Sequence, residues 1–259
     1  MIPPRLHVLT ALASPMALVL RRGPAGVVAS LGWDRASGEV MRGQWLRGRI
    51  YEYRADISPD GTHWVYFAAR GGYGWTAVAR VPWLRAVVYL PQNSTWCGGG
   101  AFTPEGKLWL NGASPLTVEQ AKEVRPAPTD AYPHSTDGLH GGNLHAAMLE
   151  RRGWRREGQA YDAVLRRDLP GGGRIELSFA IHARNRAIVS SRYATVDATG
   201  ARTAQSEWEW ADLWRDRLQF AARGALWERP LAGGEARRLH DLSGLAYEEV
   251  RAPYEGVWA

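Results

Sequence analysis

The chain has 259 residues, 45% hydrophobic and 22% charged, which is enough apolar material for a sizeable core and too balanced a composition for disorder. Its formal charge of +6 is almost all arginine, since only Lys107 and Lys122 are lysines, and the basic residues come as pairs scattered among acids. Phosphate binding needs a clustered basic face, and no block of five basic residues occurs, so nucleic acid is not an expected partner.

Residues 1–5 lack the basic start and long apolar run of a signal peptide. Leu6–Leu20 is interrupted by His7, Thr10, Ser14 and Pro15 and is too short to span a bilayer. With Cys97 as the sole cysteine, no internal disulfide can form, and a cytoplasmic protein without membrane attachment is expected.

From there the chain reads as short runs rich in Val, Trp, Tyr and Thr, broken every ten residues or so by Gly, Pro or Asp-Gly. The predicted strands in order are Ala17–Leu20, Val27–Trp33, Arg49–Tyr53, His63–Ala69, Gly74–Val81, Leu84–Leu90 and Lys107–Leu110. After a single helical candidate, Leu116–Val124, come Ala160–Arg166, Arg174–His182, Ala187–Val196, Arg202–Trp210, Leu218–Ala222, Ala225–Arg229 and Ala236–Asp241. Asp60-Gly61, Glu105-Gly106, Gly171–Gly173, Thr199-Gly200 and Gly233-Gly234 supply residues able to take positive φ in hairpins.

Internal similarity organises these runs. Ala55-Asp56-Ile57 with Phe67-Ala68-Ala69-Arg70-Gly71 recurs as Ala211-Asp212-Leu213 with Phe220-Ala221-Ala222-Arg223-Gly224. Onsets near residues 12, 56, 102 and 211 imply a period of about 45, the signature of four-stranded propeller blades. Units between 145 and 205 are blurred. The expected fold is therefore all-β, a β-propeller of five (or six) four-stranded antiparallel blades, forming one domain over residues 1–259 with an irregular insertion at about 112–145. The alternative is two β-domains divided by Pro126–Gly142.

Ser58-Pro59-Asp60-Gly61 ahead of an aromatic strand resembles the corresponding turn of TolB-like and WD40-like bacterial propellers. Ala211–Leu242 is similar to one of their blades. The chain departs from them in having a single Trp-Asp pair, Trp33-Asp34, and no Gly-His pair. The resemblance implies a scaffold whose face or central channel engages a partner. Related propellers include lyases and hydrolases, so fold alone does not choose the chemistry.

Three stretches could carry function. Thr129–His145 gathers His134, Asp137, His140 and His145, whose donors suit a divalent metal ion, although their spacing matches no established ligand pattern and a polar loop has the same composition. Asn93–Gly100 holds Cys97 before three glycines, whose N–H groups could form an anion nest; a buried structural cysteine is the simpler expectation. Glu207 and Glu209 alternate with Trp208 and Trp210, as on a strand with one acidic and one buried face. Of the thirteen tryptophans, Trp83, Trp96, Trp154 and Trp214 fall near turns and are the candidates for a binding surface, since Trp dominates interface hot spots. The expected function is thus a non-enzymatic module, without cofactor, that binds a protein partner. A metal-assisted hydrolase or lyase with its site at 130–145 is the alternative.

Overall fold

Strand His63–Arg70, with the run Trp64-Val65-Tyr66-Phe67-Ala68, is apolar without alternation, and its surroundings explain why. In the computed structural model, which describes residues 3–23, 26–112, 114–132, 142–158, 163–181 and 189–257, Trp64, Tyr66 and Ala68 pack into one core while Val65 packs into another. A strand buried on both faces has no polar side to show.

The described residues form twenty β-strands in five antiparallel sheets of consecutive strands. The first sheet contains β1 (Arg5–Thr10), β2 (Met16–Arg22), β3 (Val27–Asp34) and β4 (Val40–Arg47). The second contains β5 (Arg49–Ile50), β6 (Asp56–Ile57), β7 (His63–Arg70), β8 (Tyr73–Arg80) and β9 (Ala86–Gln92). The third is a hairpin of β10 (Gly100–Phe102) and β11 (Leu108–Leu110), followed by α1 (Gln120–Glu123) and α2 (Gly142–Arg151). The fourth contains β12 (Arg155–Glu157), β13 (Val164–Asp168), β14 (Arg174–Ile181), β15 (Val189–Val196) and β16 (Arg202–Gln205). The fifth contains β17 (Trp208–Trp214), β18 (Arg217–Ala222), β19 (Ala225–Pro230) and β20 (Arg237–Asp241). The all-β class is as the sequence predicts, and the blurred stretch before residue 205 holds a full sheet.

Two compact units emerge. The larger comprises Val8–Met148 and Ala246–Ala259; the smaller comprises Met1–His7 and Leu149–Leu245. Each unit therefore contains one end of the chain that sequence order assigns to the other.

Within the larger unit, successive sheets stack face to face. Leu18, Leu20 and Val28 of the first sheet meet Ile57, Trp64, Tyr66 and Ala79 of the second. The opposite face of the second, through Val65, Val78, Val88 and Leu90, meets Phe102 and Leu108 of the third. Burying each such side chain contributes roughly 1.5–3 kcal/mol, so the stacking supplies much of the folding drive. This is how propeller blades cover their faces. The third sheet's other core joins Ala101 and Trp109 to Leu144 and Met148, two residues one helical turn apart on α2. In the smaller unit, Tyr193, Trp208, Phe220 and Trp227 form a run of aromatic contacts, with Trp208 stacked on Phe220 at 4.6 Å.

The two copies of the Phe-Ala-Ala-Arg-Gly pattern do not occupy the same register. In β7–β8 the two turn residues are Gly71 and Gly72; in β18–β19 they are Arg223 and Gly224, one position nearer the phenylalanine. All four have positive φ, as a two-residue hairpin turn requires. The predicted strand Arg202–Trp210 is also corrected: Ser206 and Glu207 form a turn, and β17 begins a new sheet.

Candidate binding site

Asn93–Gly100 leaves β9 at the end of the second sheet where β7 turns into β8, because Gly74 pairs with Gln92. The loop is held from beneath by Arg54, only 1% exposed. Its Nη1 donates to the Thr95 carbonyl at 3.1 Å and to the Cys97 carbonyl at 2.8 Å, the two carbonyls that flank Trp96. The guanidinium also lies 4.6 Å from the Tyr51 ring centre and 4.7 Å from that of Phe67. Charge-assisted bonds inside low-dielectric surroundings are the strong kind.

Glycine is required here for room as well as for conformation. A Cβ on Gly98 (φ +110°) would fall 2.3 Å from Phe67 Cδ2, and one on Gly99 (φ +77°) 1.9 Å from the Arg54 carbonyl oxygen. Their N–H groups are spent: Gly98 donates to the Asn111 carbonyl at 2.7 Å and Gly99 to Thr76 Oγ1 at 2.8 Å. The anion nest suggested by the glycines is therefore corrected at Gly98 and Gly99, whose donors are already satisfied. From Thr76 the bonding continues to Gln92 Oε1 at 2.6 Å, and Gln92 Nε2 approaches Cys97 Sγ at 3.7 Å. The Cys97 thiol in turn donates to the Gly112 carbonyl at 3.4 Å. Cys97 is half-buried rather than buried, and its role is to tie the loop to the third sheet.

The outcome is a stiff loop displaying one large side chain. Trp96 is 59% exposed, and Tyr73, on the adjoining hairpin, is 79% exposed. Rigid aromatic side chains in a pre-ordered loop lose little entropy on binding.

The other tryptophan candidates fare differently. Trp83 is half-buried, and its carbonyl accepts the Trp64 indole N–H at 2.7 Å. Trp214 is half-buried at the end of β17. Trp154 is 3% exposed, a correction to its place among surface candidates, because its side chain is covered. Trp83 and Trp96 belong to the larger unit, Trp154 and Trp214 to the smaller.

His134, Asp137 and His140 lie outside the described residues. His145 is buried on α2 with its ring edge against Tyr53, 4.9 Å between centres. Among the described residues, no group of three His, Cys, Asp or Glu could hold a metal ion.

The expected acidic face of Glu207 and Glu209 is divided between two settings. Glu207 sits in the turn and pairs with Arg223, whereas Glu209 occupies a bulge between Trp208 and Trp210. Both tryptophans are buried, as expected.

A cleft of about 530 Å³ opens over the Ser58–Gly61 turn, lined by Asp60, His63, Glu105, Lys122 and Glu123 among others. Thr62 Oγ1 lies 2.9 Å from Asp60 Oδ1 and 2.9 Å from His63 Nδ1. A carboxylate can only accept, so the single hydroxyl proton goes to Asp60. Nδ1 then carries the imidazole proton and Nε2 is bare. Burial pushes the Asp60 carboxyl up, but bonds from Ser58 and Thr62 outweigh it and leave the group below its usual range. Burial holds the His63 imidazole below its ordinary range, with the Asp60 charge opposing and Arg80 assisting. Its Nε2 is enclosed and meets no donor, so the chain of bonds ends inside the protein rather than in the cleft. The arrangement stabilises the turn.

No known protein family matches the chain, and no curated protein does. Solved structures show limited similarity, and two of them serve as examples. An acylaminoacyl peptidase in complex with Z-Gly-Gly-Phe-chloromethyl ketone aligns with 96% of this chain at 8% identity and a TM-score of 0.28. Tricorn protease aligns with 93% at 12% identity and a TM-score of 0.27. This chain spans 33% and 35% of their respective lengths.

Proposed function

We propose that this chain is a non-enzymatic binding module that engages a protein partner through the Trp96 loop. One observation carries the proposal: Trp96, more than half exposed, stands between two carbonyls fixed by a fully buried arginine. Placing an arginine in a core is costly unless its donors are used, and here they hold an aromatic side chain outward. Two of the buried acids have structural partners. Asp56 accepts from the Phe102 and Ile57 amides, and Glu176 is surrounded by Arg166, Arg174 and Arg202. The five antiparallel sheets, of which the first three stack within the larger unit, favour a propeller of about five blades, of the TolB-like or WD40-like kind, and the lone free thiol fits a cytoplasmic setting.

The test is capture of partners from nuclease-treated lysate by the native chain and by Trp96→Ala and Tyr73→Ala variants. A stoichiometric protein retained by the native chain and lost with Trp96→Ala supports the proposal. Capture unchanged by both substitutions overturns the assignment of the surface.

A further inference from the structure

Residues 246–257 have no regular secondary structure, yet they are bound in an ordered way to strands that end their sheets. The exposure of residues 251–257 alternates strictly, with Ala252, Tyr254 and Gly256 half-buried and Arg251, Pro253, Glu255 and Val257 exposed. That is the period of an extended peptide lying on a surface. Tyr254 is the anchor. Its hydroxyl donates to the Arg85 carbonyl at 2.7 Å and accepts the Arg80 amide at 3.2 Å, and its ring packs beside the core of Val65, Val78 and Val88.

Around that anchor the surface is cationic and the segment acidic. Arg85 Nη2 donates to Glu255 at 2.7 Å, Arg42 reaches Glu248 at 3.5 Å, and the Arg80 guanidinium lies 5.0 Å from the Tyr254 ring centre. Upstream, Tyr247 sits against Trp45 at 5.8 Å, with Arg47 over its ring at 4.4 Å. The backbone is read as well: Gln44 Nε2 donates to the Val250 carbonyl at 2.8 Å, and the Val257 N–H donates to Ala86 of β9 at 2.9 Å. Gly256 passes so close that a Cβ would lie 2.5 Å from the Ala86 carbonyl oxygen. Both β4 and β9 are terminal strands, where an added extended segment finds unused backbone groups.

We infer that this surface is a receptor for extended acidic segments bearing tyrosine, and that residues 246–257 occupy it as a tethered competitor. The ligand it fits is a partner protein's Tyr-Glu-containing strand. The resident segment is held by two ion pairs with exposed carboxylates, four single hydrogen bonds and the half-buried ring of Tyr254, each a modest contribution, so its hold draws on the tether. An external segment of the same chemistry must displace it, which makes access to the surface regulated. This inference uses different residues from the Trp96 loop and does not rest on that proposal.

The probe is a fluorescent peptide with the sequence of residues 246–259, titrated by anisotropy. The receiving proteins are the full chain, a variant lacking residues 246–259, and full-length Gly256→Val, which dislodges the segment while keeping the rest of the chain. Binding to both variants at least about tenfold tighter than to the full chain is expected, as is a loss of about tenfold or more when the peptide's Tyr254 is alanine. Arg85→Glu in the Gly256→Val background should weaken the native peptide and prefer one carrying Glu255→Arg. If Gly256→Val binds no better than the full chain, the inference is overturned. Concentration-dependent dimerisation of Gly256→Val in sedimentation, without peptide capture, would also overturn it, in favour of exchange between copies.

Discussion

The Leu6 amide donates to Glu209 Oε2 at 2.7 Å, joining residues 203 positions apart in the sequence. Glu209 projects from the bulge in β17, and with Pro4 lying against Gly224 it ties the start of the chain to the fifth sheet. Burial pushes its carboxyl up to about 7, opposed by the Leu6 N–H and by Arg5.

That shift fixes a sign for stability against pH. The folded state holds the Glu209 proton more tightly than the unfolded chain does. Its contribution is therefore complete below the unfolded value of 4.5 and lost as pH rises through about 7. Glu209→Gln keeps an acceptor for Leu6 and removes the charge. It should flatten the fall in stability between pH 5 and pH 8, a difference on the order of 2 kcal/mol, measured by urea unfolding at both pH values.

Glu176 predicts the opposite limb. Burial raises its carboxyl, but bonds from Arg202 and Arg174 and the charge of Arg166 outweigh it and leave the group below its usual range. Its stabilisation is present above the unfolded value and disappears as pH falls through the folded one. Glu176→Gln should lower stability at pH 7 and remove part of the acid-side loss, again seen by denaturant titration.

Arg54 and Trp96 should separate stability from binding. Arg54→Ala strips the donor from the Thr95 and Cys97 carbonyls and should cost about 2–4 kcal/mol. Trp96→Ala should change stability by less than about 0.5 kcal/mol while abolishing partner capture. Chemical unfolding of both variants alongside the capture assay distinguishes the roles.

Glycine substitutions test how tightly the loop is built. Gly99→Ala meets the Arg54 carbonyl oxygen and should destabilise by more than about 3 kcal/mol, whereas Gly200→Ala, with nothing within 4 Å, should cost only the left-handed conformation, about 1 kcal/mol. Equal melting-temperature losses for the two would contradict the packing described.

The sequence by itself determined the fold class, because hairpin turns and apolar strand runs are local properties. Asp60-Gly61, Glu105-Gly106 and Thr199-Gly200 lie at turns as read, and His63–Arg70 forms nearly as predicted. In the sequence, residue type and neighbouring turns single out Trp96 together with Trp83, Trp154 and Trp214, and carry no sign of which of them is exposed. Strands whose pattern is weak escaped it. In β4, Gly43 interrupts the run, and only close approach to the Pro82 and Ser30 carbonyls explains why glycine stands there. Helix α2 was hidden because its apolar face amounts to Leu144 and Met148 following a Gly-Asn start, and what makes it a helix is the core those two side chains enter beneath Trp109. The repeat itself was legible, but its register was not, since Arg223 takes a turn position that Gly71 fills in the other copy.

Tertiary structure alone decided the rest. Nothing local marks Arg54 as buried under a loop forty residues later, Glu209 as the partner of the Leu6 amide, or residues 246–257 as a segment held by Gln44 and Arg85. Each of these depends on groups brought together across long chain separations, where desolvation and geometry, rather than propensity, select the residue.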